Sequence, residues 1–261
     1  MKRGLLFDLD ETLMVEEPAA AAAFKATAQL AATRHEIDLE VLASTARDRA
    51  RELWYAAPTH GYCMRVGISS WEGLWCRFEG DDPDTRSLRE WSPTYRREAW
   101  GLALADQGVD DLQLAEELAE RFGEERRARH ELFADAAVAL NQLRKSHLLA
   151  LVTNGAACLQ REKLAASGLG DYFEAVVVSA DLGVAKPDAS VFEHALSELG
   201  VESEHAVMVG DSISKDVDGA LAVGLGAIWV NRNGRSAPAE RADLVEVSTL
   251  SDLPNALSRL S

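Results

Sequence analysis

The run Leu5-Leu6-Phe7-Asp8-Leu9-Asp10-Glu11-Thr12-Leu13 decides how this chain is read. The stretch Arg3–Phe7 has the apolar character of a short buried strand, and two carboxylates follow it, two residues apart, where a loop must begin. Like charges crowd a strand end when a cation or a reaction uses them. In open α/β sheets, ligands bind just beyond the carboxyl ends of the strands. The same grammar returns downstream, where Ala206–Val209 reads as a strand and Gly210-Asp211-Ser212-Ile213-Ser214-Lys215-Asp216 follows it. Four acids at two strand ends make a magnesium-centred phosphoryl-transfer site the leading expectation.

Outward from these two runs the C-terminal half alternates. Apolar strands are predicted at Leu148–Thr153, Ala175–Ser179, His205–Val209, Ala227–Val230 and Leu244–Val247. Helices are predicted at Ala156–Ser167, Ala189–Leu199, Ser214–Val223 and Leu253–Leu260, the first three ended by Gly168, Gly200 and Gly224. Near-continuous apolar strands between glycine-terminated helices predict an α/β fold: a Rossmann-like parallel sheet with helices on both faces. Between Pro18 and about Glu131 the pattern changes. Ala19–Thr33, Leu39–Tyr55, Ser69–Phe78, Pro93–Leu104 and Leu112–His130 all have helical spacing. Residues 17–131 therefore read as an all-helical insertion after the first strand, with 1–16 and 132–261 forming the α/β core. Five of the six tryptophans (Trp54, Trp71, Trp75, Trp91 and Trp100) fall in the insertion, and filling its core is their simplest use.

The chain has 261 residues, with 43 acidic against 27 basic ones and a formal charge of −16, which disfavours a nucleic-acid polymer as partner. The acids form no tail, since residues 17–131 hold 22 of them and the remainder 21. Cys63, Cys76 and Cys158 have no CxxC spacing and read as free thiols of a reducing compartment. Asp8 and Asp10 cut short the apolar run behind Lys2-Arg3, so no signal peptide is expected. No stretch approaches the roughly 18 uninterrupted apolar residues of a membrane span. The cytoplasm is the expected location. Six histidines without HxH or HExxH spacing give no zinc signal.

Each candidate site residue has a chemical reason of its own. Asp8, first after the strand, can attack phosphorus as a carboxylate nucleophile, giving an aspartyl-phosphate. Asp10 is placed to protonate the leaving oxygen and then activate water. Thr153 and Asn154 precede a helix whose N-terminus suits phosphate oxygens. Lys186, ahead of Pro187, offers a cation to Asp8 and the transferring group. Asp211 is a hard oxygen donor for Mg²⁺, and Asp216 either holds a metal-bound water or orients Asp211 or Lys186.

Together Phe7-Asp8-Leu9-Asp10-Glu11-Thr12-Leu13, Leu151-Val152-Thr153-Asn154-Gly155, Ala185-Lys186-Pro187-Asp188 and Gly210-Asp211-Ser212…Asp216…Gly219-Ala220 resemble the four ordered motifs of the haloacid dehalogenase-like hydrolase superfamily. The resemblance implies that Mg²⁺ contacts the Asp8 side chain, the Asp10 backbone carbonyl and the Asp211 side chain. It also implies a phosphatase, because the family's dehalogenases lack the second acid: a halide leaves without a proton. The alternatives are a phosphomutase, which shares Asp8 and Asp10, and a slow binding or regulatory protein that keeps the fold. A helical block after Asp10 matches the family's first cap type, and Lys186 follows Thr153 by only 33 positions, too few for a second cap. That arrangement is similar to the pyrimidine nucleotidase, acylneuraminate-9-phosphatase and phosphoglycolate phosphatase branches, whose substrates are small phosphomonoesters. Cap loops of the family face the leaving group, and Ala57–Arg65, broken by Pro58 and Gly61, is the expected turn, with His60 and Arg65 as its substrate-reading side chains.

Overall fold

The computed structural model of the chain describes residues 3–237 and 244–260. Its main sheet joins β1 (Arg3–Phe7), β4 (His147–Thr153), β5 (Ala175–Val178), β6 (Ala206–Gly210), β7 (Gly226–Val230) and β8 (Glu246–Val247) in the order β5-β4-β1-β6-β7-β8. Every pairing is parallel. β1 is central, with Phe7 opposite Leu151 of β4 on one side and Val209 of β6 on the other. The chain winds from β1 out to β5 and then returns across β1 to β6, so the direction of winding reverses there. Two further strands, β2 (Met14–Val15) and β3 (Glu131–Leu132), pair antiparallel. Two-residue strands carry no period, so no pattern in the sequence announces them.

By its contacts the chain divides into two compact units, an α/β unit of residues 1–15 with 131–261 and a helical unit, Glu16–His130. The helical unit contains α1 (Glu17–Ala32), α2 (Leu39–Trp54), α3 (His60–Val66), α4 (Ser70–Gly73), α5 (Pro83–Ala105) and α6 (Leu112–Arg127). Side-chain caps start α2, α5 and α6: Asp38 accepts from Glu40 and Val41 N–H, Asp82 from Thr85 N–H and Asp111 from Leu114 N–H. Leu42, Ala46, Ala50 and Trp54 recur every fourth residue and form the buried stripe of α2. α1 packs on α2 and α6, and α5 packs on the same two helices. Aromatic rings fill the middle, with Phe24 4.4 Å from Phe122 and 5.9 Å from Trp100 between centroids.

Two helices of this unit differ from the expected spans. α5 begins at Pro83 and runs through Pro93. Pro93 has no N–H for the Arg89 carbonyl one turn back, and the Ser92 hydroxyl donates to it instead at 3.5 Å. The helix expected over Ser69–Phe78 stops at Gly73, because tertiary partners claim the carbonyls beyond. Arg96 donates to Gly73 and Cys76, and Arg127 to Trp75. The segment Ala57–Arg65 is likewise not the turn expected from Pro58 and Gly61. From His60 it is the helix α3, anchored by buried Cys63 and Val66 and ended by Gly67 at φ 79°.

The α/β unit adds α7 (Ala136–Leu143), α8 (Ala157–Ser167), α9 (Ser179–Leu182), α10 (Ala189–Leu199), α11 (Asp218–Ala222) and α12 (Leu253–Arg259). Strand alternation sends Leu5 and Phe7 to one face, against Leu140 of α7 and Leu253 of α12. Leu6 points to the other, against Phe192 and Ala195 of α10 and Ala220 of α11. Both faces of β1 are thus dry, as its unbroken apolar run requires. The expected helix Ser214–Val223 is interrupted: Ile213–Val217 forms a π-helical turn before α11.

Candidate active site

Three neighbouring strands deliver their ends to one place. Asp8 follows β1 and donates its N–H to the Val209 carbonyl at 3.0 Å, so it is still tied to the ladder. The chain then turns back sharply: Leu13 and Met14 N–H both reach the Leu9 carbonyl, at 2.9 and 3.0 Å. Buried Leu9 and Leu13 pin that turn in the core. The Thr12 hydroxyl donates to Asp8 Oδ2 at 3.4 Å.

Lys186 is the hub. It is 3% exposed, and its ammonium donates to Asp8 Oδ1 at 2.7 Å, Asp216 Oδ1 at 2.6 Å and the Val152 carbonyl at 2.7 Å, which uses all three protons. Burial works against its charge, but Asp216 and Asp8 more than offset this and hold it protonated above the ordinary lysine range. Asp216 gives its second oxygen to the Ser212 N–H at 2.9 Å. It reaches this place over Gly210, where a Cβ would sit 2.4 Å from the Asp216 Cγ. Gly219 serves a similar end, since a Cβ there would meet the Phe192 ring at 2.7 Å and the Pro187 backbone at 3.0 Å.

Asp8, Asp211 and Asp216 each bring a carboxylate oxygen within 4.8 Å of the others. Burial, with the charges of Asp8 and Asp216 added, pushes the Asp211 carboxyl up to about 7, although Arg235 opposes the shift. Arg235 Nη2 lies 3.2 Å from Asp211 Oδ2 and donates to its backbone carbonyl at 2.6 Å. The set is all hard oxygen, a chemistry suited to Mg²⁺ and poorly suited to zinc or copper.

The end of β4 behaves in two ways. Thr153 is buried, and its hydroxyl donates to Gln160 Oε1 at 3.3 Å. The Asn154 side chain turns away to Lys186, accepting from its N–H at 2.9 Å and donating to its carbonyl at 3.0 Å. That pair of backbone hydrogen bonds sets where the lysine side chain starts. Asp10 accepts from Lys163 at 3.1 and 3.0 Å and from Gln160 at 3.4 Å. Sequence reading missed Gln160 and Lys163. Their signal was present: both lie on the helical stripe of Leu159 and Leu164, where a polar residue asks for a buried partner. His60 and Arg65 belong to the helical unit, on α3, where the His60 ring lies 5.2 Å from that of Tyr55 and the Arg65 guanidinium 5.7 Å from the Tyr62 ring.

A reversal of winding at β1, with carboxylates and the buried Lys186 and Lys163 gathered beyond the strand ends, is the arrangement of an α/β protein whose ligand site is centred on carboxylates. Residues 2–224 match the haloacid dehalogenase-like hydrolase family, and the chain belongs to it. The phosphoserine phosphatase of Thermus thermophilus is 36% identical over 95% of this chain and 96% of its own length. The mouse (Mus musculus) N-acylneuraminate-9-phosphatase is 40% identical over 49% of this chain and 52% of its own. Among solved structures, a 2-haloacid dehalogenase from Pseudomonas syringae pv. Tomato DC3000 superposes with a TM-score of 0.62 at 29% identity, with all of both chains covered. No helix among the described residues is long and apolar enough to cross a membrane.

Proposed function

We propose that this protein is a Mg²⁺-dependent phosphatase that hydrolyses a small phosphomonoester through an aspartyl-phosphate on Asp8. The observation that carries the reading is the Asp8–Lys186–Asp216 arrangement at the end of β1, with a second acid, Asp10, two residues on. In the first step an Asp8 oxygen attacks phosphorus. The bond from phosphorus to the ester oxygen breaks, and Asp10 gives that oxygen its proton. In the second step Asp10 takes a proton from water as the water attacks phosphorus. The bond to Asp8 breaks, and inorganic phosphate leaves.

Lys186 holds Asp8 in position and offers positive charge where the transferring group gains negative charge. The backbone at Asn154 receives phosphate oxygens ahead of α8, and the Thr153 hydroxyl, which donates to Gln160 Oε1 before substrate binds, joins it by turning its proton to the phosphate. Asp8, Asp211 and the Asp10 backbone carbonyl would hold Mg²⁺, with Asp216 behind them, and the bound ion would supply charge neutralisation to the phosphoryl group. The second acid favours an ester over a halide, because an alkoxide needs a proton on leaving and a halide does not. The helical unit is the substrate-selecting cap, with His60 and Arg65 its readers.

The test is phosphate release from p-nitrophenyl phosphate and from a panel holding phosphoserine, pyrimidine nucleotides, N-acylneuraminate 9-phosphate and phosphoglycolate. The likeness to the Thermus phosphoserine phosphatase puts phosphoserine first. Activity is expected with Mg²⁺, lost in EDTA and lost in Asp8→Asn. Turnover by Asp8→Asn near the wild-type rate, or full activity without metal, would refute the reading.

A further inference from the structure

Lys163 is completely buried on α8, yet its ammonium reaches both oxygens of Asp10, at 3.1 and 3.0 Å. One turn earlier on the same helix, Gln160 donates from Nε2 to Asp10 Oδ2 at 3.4 Å and accepts from the Thr153 hydroxyl at 3.3 Å. The amide therefore bridges the threonine at the end of β4 and the acid after β1. A buried ammonium is a costly choice on a helix stripe shared with Leu159 and Leu164, and an apolar residue would pack there at no such cost. The geometry points to Lys163, with Gln160, as a positioning residue that fixes the Asp10 carboxylate for its part in catalysis.

This inference rests on the phosphatase reading above. Asp10 must present an oxygen first to the leaving group and then to water, and a misplacement of about 1 Å is enough to cost about 10²-fold in rate. Two side chains from one rigid helix hold that carboxylate by three contacts, so its direction does not depend on the loop that bears it. Loss of these contacts should therefore appear where Asp10 works and not elsewhere.

The leaving group makes this measurable. The first step governs kcat/KM, and an alkyl phosphomonoester needs a proton from Asp10 there, whereas p-nitrophenolate leaves unaided. Lys163→Met keeps the length of the side chain, and Asp10, with 26% of its side chain exposed, retains water as a partner, so the fold should survive. For Lys163→Met, kcat/KM on the best alkyl phosphomonoester of the panel is expected to fall about 10–100-fold, against less than about 3-fold on p-nitrophenyl phosphate. KM should change little. Asp10→Asn combined with Lys163→Met should be no slower than Asp10→Asn alone, since both remove one function.

Equal losses on the two substrates, or fully additive losses in the double variant, would overturn the inference while leaving the phosphatase reading intact. If Lys163→Met does not fold by circular dichroism, Gln160→Leu is judged on the same substrate ratio, with a smaller selective loss expected and an equal loss overturning. A wild-type protein that releases phosphate from nothing overturns the phosphatase reading itself and the inference with it.

Discussion

Lys186 Nζ sits 2.7 Å from Asp8 Oδ1, and only 2% of the lysine side chain meets solvent. With one acid contact the pair would be an ordinary buried ion pair, whose desolvation consumes most of its Coulomb gain. Asp216 and the Val152 carbonyl complete the ammonium's coordination, so each of its protons has an acceptor. Lys186→Met removes one charge from among three carboxylates. Phosphate release should fall at least about 10²-fold, as when a transition-state donor is deleted. Stability should fall by about 3–5 kcal/mol, because Asp8 and Asp216 are left buried without their cation. Denaturant melts beside initial rates check both, and a variant with wild-type kcat would remove Lys186 from the chemistry.

Gly210 permits the whole cluster. Its Cβ would fall 2.4 Å from both Cγ and Oδ2 of Asp216, which leaves a side chain there no room. Gly210→Ala should displace Asp216, and Lys186 with it, at a cost of about 1–3 kcal/mol from overpacking. The rate should suffer more than the fold, because Asp216 holds Lys186 at 2.6 Å. A normal rate with a lowered melting temperature would show that Asp216 does not act through Lys186.

These two sites show what is legible in the sequence and what is hidden. Continuous apolar runs bounded by turns mark β1, β4 and β6, Asp8 and Asp211 stand out because charge at the ends of such strands is unusual, and Lys186 stands out by its place just ahead of Pro187 and the helix that follows. Gly168 and Gly200 end α8 and α10 where expected, at φ 69° and 63°. The π-helical turn is not legible. The Ser212 carbonyl accepts from Asp216 N–H at 2.8 Å and Val217 N–H at 3.2 Å, and no hydrophobic period records one added residue. The end of α4 is equally hidden, since Arg96 and Arg127 reach its carbonyls from distant helices. Lys163 and Gln160 escape notice because polarity on a helix ordinarily means solvation, and here it means a buried carboxylate.

The helical unit yields a prediction about selection. His60 opens α3 beside Tyr55, and exposed Arg65 lies near the end of the same helix. On the proposed reading, in which they contact the non-phosphate end of the substrate, their loss should affect binding and not phosphoryl transfer. His60→Ala and Arg65→Ala should each raise KM for the best panel substrate about 10-fold, with p-nitrophenyl phosphate changed less than about 2-fold. Equal changes on both substrates would show that α3 does not discriminate.

Asp135 supplies a test that needs no substrate. Burial pushes its carboxyl up, but Arg232, the Thr249 hydroxyl and the Leu250 N–H together hold it below the ordinary aspartate value. Arg232 spans Asp135, at 2.9 and 3.1 Å, and the Thr12 carbonyl, at 2.8 Å, so the pair braces the turn that follows Asp8. A carboxyl whose folded pKa is depressed contributes stability that is fully present above its unfolded pKa, about 3.9. That contribution is lost as pH falls through the lower, folded value. Asp135→Asn should therefore be less stable than wild type by about 1–3 kcal/mol at pH 7, the cost of a lost hydrogen-bond partner for Arg232. The gap should stay constant down to about pH 5 and narrow below about pH 4 as wild-type Asp135 takes up its proton. Urea titrations of both proteins across that range decide it. A gap that is unchanged at the acid end would mean that the charge of Asp135 contributes nothing and that only its shape is needed.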